Sequence, residues 1–258
     1  MAERHLSPAL HAFPPEQFHV APLTGVEARI YNRLWRLIVE GRLKPGAKLR
    51  EEVIGKTFGV SRTITRKVLQ IMEQEGGIHL PLKRGAYVAK PAPGDAAAVF
   101  EALDMTMTHI IARLADSATA ITSGHRDLIA QHIAAQAEAD ASGNLVTAHL
   151  MGTDFLVLLA AIHGNPVITG LTDRMFMCQA LTMTLYGQYV LDPHRTAFQR
   201  KLADAIFAHR QDEAIAIFRE RYREHEQSLC LDDTGEEADL AAILSSPPFR
   251  LGEGAEAS

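Results

Sequence analysis

A short run of cationic and hydroxyl side chains is the part of this sequence best suited to binding a ligand. It comprises Ser61, Arg62, Thr63, Arg66 and Lys67. Four residues among and after them have the i, i+3, i+4, i+7 spacing of a buried helix face: Thr65, Val68, Leu69 and Met72. Ser61 suits a helix N-cap, because its hydroxyl accepts a hydrogen bond from a first-turn amide. The cations would then lie on the opposite face near the helix start, the arrangement that enters a DNA major groove. Taken alone, this helix fits an ordinary solvated face equally well.

Two predicted helices precede this one and would position it. The first has an apolar stripe made of Ile30, Leu34, Leu37 and Ile38. It ends at Gly41, a residue typical of a helix C-cap, and a Pro-Gly turn follows. Residues 50–58 form a short second helix that Gly59 stops. Two short helices joined by a tight turn predict a helix-turn-helix.

A β-hairpin is predicted directly after the third helix. Two short apolar stretches within residues 78–88 flank the basic sequence Lys83-Arg84-Gly85. A hairpin in this position is a wing, which would press its cations against phosphates or into the minor groove.

Charge is distributed unevenly along the chain. The 258 residues carry a formal net charge of −5, yet residues 24–90 hold 14 Lys and Arg against 6 Asp and Glu, a net of +8. The rest of the chain has a net charge of −13. A basic segment joined to an acidic remainder indicates that the first part alone meets a polyanion.

Residues 24–90 resemble the winged-helix domain of the GntR family of bacterial transcription regulators. The segments that carry the resemblance are residues 38–46 (IVEGRLKPG), Leu49-Arg50-Glu51, residues 59–63 (GVSRT) with Arg66, and residues 84–88 (RGAYV). The resemblance implies that Arg62, Thr63 and Arg66 contact DNA and that the loop at Gly85 enters the minor groove. The predicted DNA-binding residues are Arg50, Ser61, Arg62, Thr63, Arg66, Lys67, Lys83, Arg84 and Gly85.

Three residues depart from the family pattern. Glu52 stands where the family usually has a DNA-contacting arginine, and a carboxylate there would repel phosphate. Ile64 replaces a usual proline, and Lys67 replaces a usual glutamate, which would restore some attraction to phosphate. We therefore expect an altered operator preference rather than a loss of DNA binding.

The remaining sequence predicts a helical bundle, so the expected fold class is mainly α, a winged helix-turn-helix domain followed by an antiparallel bundle of six to seven helices. The predicted helices are 95–121, 125–141, 145–162, 166–188, 195–209 and 212–229. The predicted divisions are a flexible arm (1–23), the DNA-binding domain (24–90), a linker (91–94), the bundle (95–230) and an acidic, disordered tail (231–258). A short helix over 238–244 is compatible with the composition of the tail.

The bundle resembles the FCD-type ligand-binding domain found in one branch of the GntR family. The resemblance rests on residues 112–115 (ARLA), Phe155 with Leu159, residues 164–166 (GNP), Ala205-Ile206 and Ala214. Many such domains hold a divalent metal through one aspartate and three histidines. The resemblance puts these positions at Gly152, Leu156, Gln199 and about Arg221. None supplies the expected carboxylate or imidazole ligand, so we predict no metal.

Two questions about the bundle stay open from the sequence. A shifted metal site of His149, His225 and His109 is one hypothesis, but no compact ligand spacing favours it over ordinary polar histidines. A cavity without metal ligands would hold an organic effector directly, either a carboxylate or an apolar or aromatic compound. Arg221 would pair with a carboxylate or close the cavity through an internal salt bridge. The predicted effector-binding residues are His109, Thr153, Leu156, Gln199 and Arg221.

The predicted function is that of a cytoplasmic transcription regulator, a repressor by family analogy, that binds a palindromic operator as a homodimer and answers to the effector. The alternative is a DNA-binding regulator whose bundle only dimerises or binds proteins. No cofactor and no catalytic residue is predicted, because the sequence lacks a nucleophile–histidine arrangement, a phosphate loop and a paired-carboxylate motif. No signal peptide or membrane-spanning run is evident, and Cys178 and Cys230 lack metal-ligand spacing.

Overall fold

The computed structural model describes residues 5–18, 23–82, 84–118, 121–187 and 192–229, together with Leu240 and Leu244. Within these residues the protein is mainly helical, and an N-terminal winged helix-turn-helix is followed by a six-helix bundle. The predicted fold class is confirmed.

The N-terminal domain has three helices and a small sheet. Its elements are α1 (Gly25–Val39), β1 (Lys48–Leu49), α2 (Glu51–Phe58), α3 (Arg62–Gln74), β2 (Ile78–His79) and β3 (Ala86–Val88). The antiparallel sheet has the order β1-β3-β2, with Lys48 opposite Tyr87 and Ile78 opposite Val88. The predicted stripes of α1 and α3 are buried in one core, and β3 closes the hairpin as the predicted wing.

The turn between α2 and α3 is fixed by two glycines. Gly59 ends α2 in the left-handed conformation (φ 66°), which glycine adopts at little cost. Gly55 lies so close to the carbonyl oxygen of Val60 that an added Cβ would be 2.9 Å from that oxygen. The close approach of the two helices therefore depends on the absence of a side chain at Gly55.

The bundle follows the predicted helices to within two residues at each end, except that its first helix ends at Ala115, six residues before the predicted end. Its elements are α4 (Pro93–Ala115), α5 (Ser123–Ala141), α6 (Leu145–His163), α7 (Pro166–Tyr186), α8 (Arg195–Phe207) and α9 (Gln211–Gln227). Asn165 caps α7 by accepting hydrogen bonds from two first-turn amides, and Gly164 ends α6 in the left-handed conformation. Because α4 begins at Pro93, it takes up half of the predicted linker.

Helix α6 is the most apolar element of the bundle. By length and composition it would be able to cross a membrane, since it has 19 residues and a mean hydropathy of 1.9. Most of its apolar side chains are buried against the other helices, which is the usual position of a core helix in a globular bundle.

Residues 5–18 do not form the flexible arm that the sequence predicts. They make two short 3₁₀ helices, η1 (Pro8–Ala12) and η2 (Pro15–Phe18), that pack on the bundle. Leu10 and Phe18 belong to the bundle core, and His5 and Ser7 are buried as well. The prolines that suggested flexibility start the two turns, while long-range contacts that periodicity does not reveal hold the segment in place.

The two domains meet along α1 and α7. Met177, Ala180 and Leu181 of α7 belong to the core of the winged helix rather than to the bundle core. Leu240 and Leu244 join the same cluster, although the sequence predicts a disordered tail. Both are helical and more than nine-tenths buried, and the rest of the predicted tail lies outside the described residues.

Candidate DNA-binding surface and bundle cavity

Helix α3 presents its predicted cationic face to solvent. Ser61 is the N-cap, and its hydroxyl accepts a hydrogen bond from the amide of Ile64 at 3.4 Å, which confirms the predicted cap. The side chains of Arg62 and Arg66 are 68% and 50% exposed, and Thr63 is exposed between them. Three groups that donate hydrogen bonds therefore lie together at the start of an exposed helix, as recognition of base edges requires.

A buried carboxylate on the neighbouring helix positions both arginines. Glu51, at the start of α2, is only 6% exposed. Its two oxygens accept from Arg62 Nε and from an Nη of Arg66, each at 2.6 Å. The hydrogen bond that Arg62 donates to Glu51, and then the negative charge of Glu51, raise the pKa of Arg62. Glu51 thus restricts the rotamers of two otherwise mobile side chains, and the sequence offered no periodic signal for this role.

The other predicted contacts of this domain have different surroundings. The ammonium of Lys67 lies 2.8 Å from both carboxylate oxygens of Glu27 at the start of α1, so an internal partner already compensates part of its charge. Arg50 is the exposed N-cap residue of α2, and Glu52 is exposed beside it. The repulsion of phosphate expected from Glu52 therefore acts at the edge of the cationic surface.

The wing carries Arg84 at an exposed tip. Arg84 is exposed, and Gly85 adopts φ +90°, a left-handed value that favours glycine there. The hydroxyl of Tyr87 donates to the carbonyl of Arg84 at 3.1 Å, while Lys48 of β1 lies 5.8 Å from the centre of the Tyr87 ring. Lys83 lies outside the described residues. The wing thus adds the exposed Arg84 to the cations of this domain.

A cavity of about 40 Å³ opens in the bundle where the four positions that the resemblance aligns with metal ligands converge. Gly152 and Leu156 of α6, Gln199 of α8 and Arg221 of α9 all line it. Thr153 also lines the cavity, but His109 does not. His109 instead makes an edge-on ring contact with His163, with centroids 5.6 Å apart. Four of the five predicted effector residues are therefore brought together.

Arginines close the cavity through internal ion pairs. Arg221 pairs with Asp192 and, at 3.0 Å, with Glu224. Arg195, one turn before Gln199 on α8, pairs with Asp140 at 2.5 Å. An added Cβ at Gly152 would be 3.1 Å from Arg195, so the glycine makes room for this side chain. The sequence predicts that Arg221 either pairs with a carboxylate effector or forms an internal salt bridge. In the structure Arg221 forms the internal salt bridge.

Two histidines of the cavity are neutral near pH 7. Burial, and then the neighbouring His225, lowers the pKa of His149 to about 3. Burial, and then the charge of Arg221, lowers the pKa of His225 to about 4. The ring centres of His149 and His225 are 6.4 Å apart, whereas the ring of His109 lies against His163. Over the described residues no group of three or more His, Cys, Asp or Glu is arranged to hold a metal.

Two buried polar atoms at the cavity have no hydrogen-bond partner among the described residues. They are Oε1 of Gln199, an acceptor, and the hydroxyl of Tyr222, a donor. Gln199 is 1% exposed and Tyr222 is 6% exposed. Leaving such an atom unpaired costs about 1–3 kcal/mol, so each would be stabilised by a polar guest that reached it.

A chain of polar contacts joins the cavity to the N-terminal segment. Nε2 of Gln199 lies 3.4 Å from Nε2 of His132, and Nδ1 of His132 lies 2.7 Å from the hydroxyl of Ser7. The Ser7 amide donates to Asp154 at 2.8 Å, and Asp154 also pairs with His5 at 2.8 Å. Burial lowers the pKa of His132 to about 4, so this histidine is neutral near pH 7.

The sequence hypotheses did not include several residues that the geometry brings to these sites. Glu51 stands in a segment that carries the family resemblance but was assigned no role, and Tyr222 was not considered. Arg195 was detectable in principle, because it precedes Gln199 by four residues and so shares its helix face. The other lining residues that were missed are Phe176, Gln179, Phe198 and Phe218.

Comparisons with known proteins find a family whose model matches the first domain. Residues 27–88 match the family model described as "Bacterial regulatory proteins, gntR family". Over 61 residues the chain is 33% identical to YdhC of Bacillus subtilis (strain 168), described as an uncharacterized HTH-type transcriptional regulator. The match covers 24% of this chain and 27% of YdhC, so it spans about a quarter of that relative. These descriptions name transcription regulators and no enzyme, as the sequence predicts.

Two solved structures share the overall fold. A GntR transcriptional regulator from Rhodococcus sp. RHA1 has a TM-score of 0.68 and 20% identity, covering 79% of this chain and 97% of that one. E. coli McbR/YncC has a TM-score of 0.65 and 14% identity, covering 78% and 95%. At these identities the similarity shows the fold alone.

Proposed function

We propose that this chain, whose residues 27–88 form a helix-turn-helix domain of the GntR family, is a cytoplasmic transcription regulator that binds a palindromic operator as a homodimer. The observation that carries the DNA-binding role is the pair Arg62 and Arg66, held at 2.6 Å by the buried Glu51 on an exposed helix start. Exposed arginines in a fixed geometry suit bidentate recognition of guanine or of phosphate.

Homodimerism is part of the proposal because one recognition helix reads few base pairs. Two copies on paired half-sites multiply the specificity of a single α3 helix, and a symmetric dimer calls for a palindromic site. The family analogy favours repression over activation.

The test of DNA binding begins with selection of a preferred duplex from a random library, followed by anisotropy titration. Arg62→Ala is expected to weaken binding to the selected duplex by about 5- to 150-fold, the value of one bidentate base contact. Lys201→Ala is the matched control, because it removes the same charge from an exposed position on α8. Equal affinities of the wild type and a folded Arg62→Ala variant would refute the assignment.

The bundle is proposed to be an FCD-like effector domain that works without metal. Gly152 and Leu156 offer no ligand at two of the expected metal positions, while Gln199 and Tyr222 leave a buried acceptor and a buried donor unpaired at the cavity. A small organic compound that accepts from Tyr222 and donates to Gln199 fits this chemistry, and a carboxylate would compete for Arg221.

The alternative is a bundle that only dimerises or binds proteins, and the small cavity favours it. One water molecule needs about 10–15 Å³ of cavity volume, so the cavity of about 40 Å³ holds about three water molecules. A larger effector must displace Arg221 or Arg195 from its ion pairs.

In the effector version of the proposal, binding of the effector to the bundle changes the relative placement of the two DNA-binding domains of the dimer. This change in placement couples the cavity to the DNA-binding surface.

Thermal unfolding distinguishes an effector-binding bundle from one that only dimerises or binds proteins. Titration with small hydroxy acids, amino acids and aromatic acids should raise Tm for the wild type, and much less for a Tyr222→Phe variant that lacks the unpaired hydroxyl. Arg126→Ala, a change on α5 outside the cavity, serves as the control variant. The absence of stabilisation by every compound would favour the interaction module.

A further inference from the structure

The start of the N-terminal segment lies between the bundle cavity and the DNA-binding domain. On the bundle side, Ser7 is buried, and its hydroxyl lies 2.7 Å from Nδ1 of His132 on α5. On the other side, His5 lines a second cavity, of about 30 Å³, together with Trp35 of α1. Leu6 lines an open cleft with the same tryptophan. Three consecutive residues therefore connect side chains of the two domains.

The hydrogen bonds from the bundle cavity to Ser7 have a defined direction. His132 is neutral near pH 7, because burial lowers its pKa to about 4, so its ring has one donor and one acceptor nitrogen. Its Nε2 accepts from the amide nitrogen of Gln199 at 3.4 Å, which leaves Nδ1 as the donor to Ser7. Oε1 of Gln199 has no partner among the described residues and lies at the cavity. A ligand that donates to this oxygen would act on the first group of the chain.

The second cavity brings the segment to Trp35 of the DNA-binding domain. The ring of His5 is held between Asp154 at 2.8 Å and Asp173 at 3.3 Å, and both carboxylates line this cavity. Trp35 is 5% exposed, and its indole nitrogen is a buried donor without a hydrogen-bond partner in the described part of the chain. Displacement of His5 and Leu6 would admit water to this nitrogen and satisfy it. Undocking therefore costs less than the lost contacts alone imply.

We propose that residues 5–7 are a coupling segment that links the bundle cavity to the DNA-binding domain by opening and closing over Trp35. In the closed form the segment bonds to His132 and covers Trp35, as in this structure. Loss of the bond to His132 favours the open form, in which the indole meets water and α1 loses the segment beside it. The inference rests on the proposed function, since it gives a ligand in the cavity a two-state element through which to act on the DNA-binding domain.

Hydrogen exchange of the full-length protein, without ligand or DNA, tests the opening. Ser7→Ala removes only the hydroxyl, so the open form should become about 2- to 12-fold more populated, the value of one neutral hydrogen bond. The backbone amides of residues 6 and 7 and the indole N–H of Trp35, the only tryptophan in the sequence, should exchange faster by this one factor. Ser123→Ala, the same change at an exposed position of α5, is the matched control.

Two results of this experiment would overturn the proposal. Unchanged exchange of the Trp35 indole, with or without faster exchange at residues 6 and 7, would separate the segment from the DNA-binding domain. Equal acceleration of the amides of α9 would show global unfolding in place of a local opening.

A double-mutant cycle tests the connection to the cavity. Gln199→Leu removes the donor that fixes the tautomer of His132, so it should accelerate exchange of the Trp35 indole by at least about 2-fold. In the Ser7→Ala background the same substitution should add nothing, because the chain is already broken between His132 and Ser7. Gln179→Leu, the same change at another wall of the cavity and outside the chain of contacts, is the control. Additive effects of Gln199→Leu and Ser7→Ala would overturn the proposal.

The exchange measurements need neither an effector nor an operator, so they separate the coupling segment from the proposed function. Failure of the exchange tests in a protein that binds DNA normally would overturn the coupling segment alone. An Arg62→Ala variant with wild-type DNA affinity would refute the DNA-binding assignment and leave the exchange results as they stand.

Discussion

Replacement of Asp154 by alanine tests the observation that residues 5–18 are an integral part of the bundle. The Asp154 carboxylate is 4% exposed and accepts from the amides of Leu6 at 2.6 Å and Ser7 at 2.8 Å, besides pairing with His5 at 2.8 Å. The Nε2 of His5 lies 3.3 Å from Asp173, so a second carboxylate would be left with an incomplete network.

The size of the effect follows from these contacts. One hydrogen bond to a charged group contributes about 1.5–3 kcal/mol. The contributions of the three bonds to Asp154 are not independent, so we expect Asp154→Ala to lower the free energy of unfolding by about 3–5 kcal/mol. If the segment detaches before the bundle unfolds, this loss is limited to the free energy with which the segment docks.

Urea unfolding together with hydrogen exchange measures both outcomes. Global destabilisation moves the urea midpoint of the whole protein, whereas detachment leaves that midpoint and accelerates exchange at the amides of Leu6, Ser7 and Leu10. Asp127→Ala, which removes an exposed carboxylate from α5, is the control. An Asp154→Ala variant with both the wild-type midpoint and wild-type exchange in residues 5–18 would refute the reasoning.

Two further predictions concern packing and pH. Gly55→Ala should destabilise the protein by about 1–3 kcal/mol in urea unfolding, because the new Cβ would meet the Val60 carbonyl at 2.9 Å, whereas Gly94→Ala meets nothing within 4 Å and should be neutral or slightly stabilising. The free energy of unfolding should also fall as pH drops from about 6.5 towards about 4, because the unfolded chain then binds protons that His149 and His225 in the folded protein do not. A His149→Gln/His225→Gln variant should show a shallower pH profile, and an unchanged profile would contradict the origin of the effect.

The DNA-binding surface was largely predictable because its signals are local. The N-cap at Ser61, the buried stripe of α3 and the basic wing are all written in spacings of a few residues. The convergence of Gly152, Leu156, Gln199 and Arg221 at one cavity was also anticipated, since a family resemblance fixed the register of three helices. His109 does not line this cavity, because it lies against His163 instead.

The sequence by itself determined the helices, their caps and the confinement of positive charge to the first domain, because these depend on neighbours within one or two turns. Tertiary structure alone decided which distant groups meet. It buried Glu51 between Arg62 and Arg66, and it bound residues 5–7 to Asp154, 147 or more positions away. Such contacts depend on how whole helices pack, and neither composition nor periodicity records that packing.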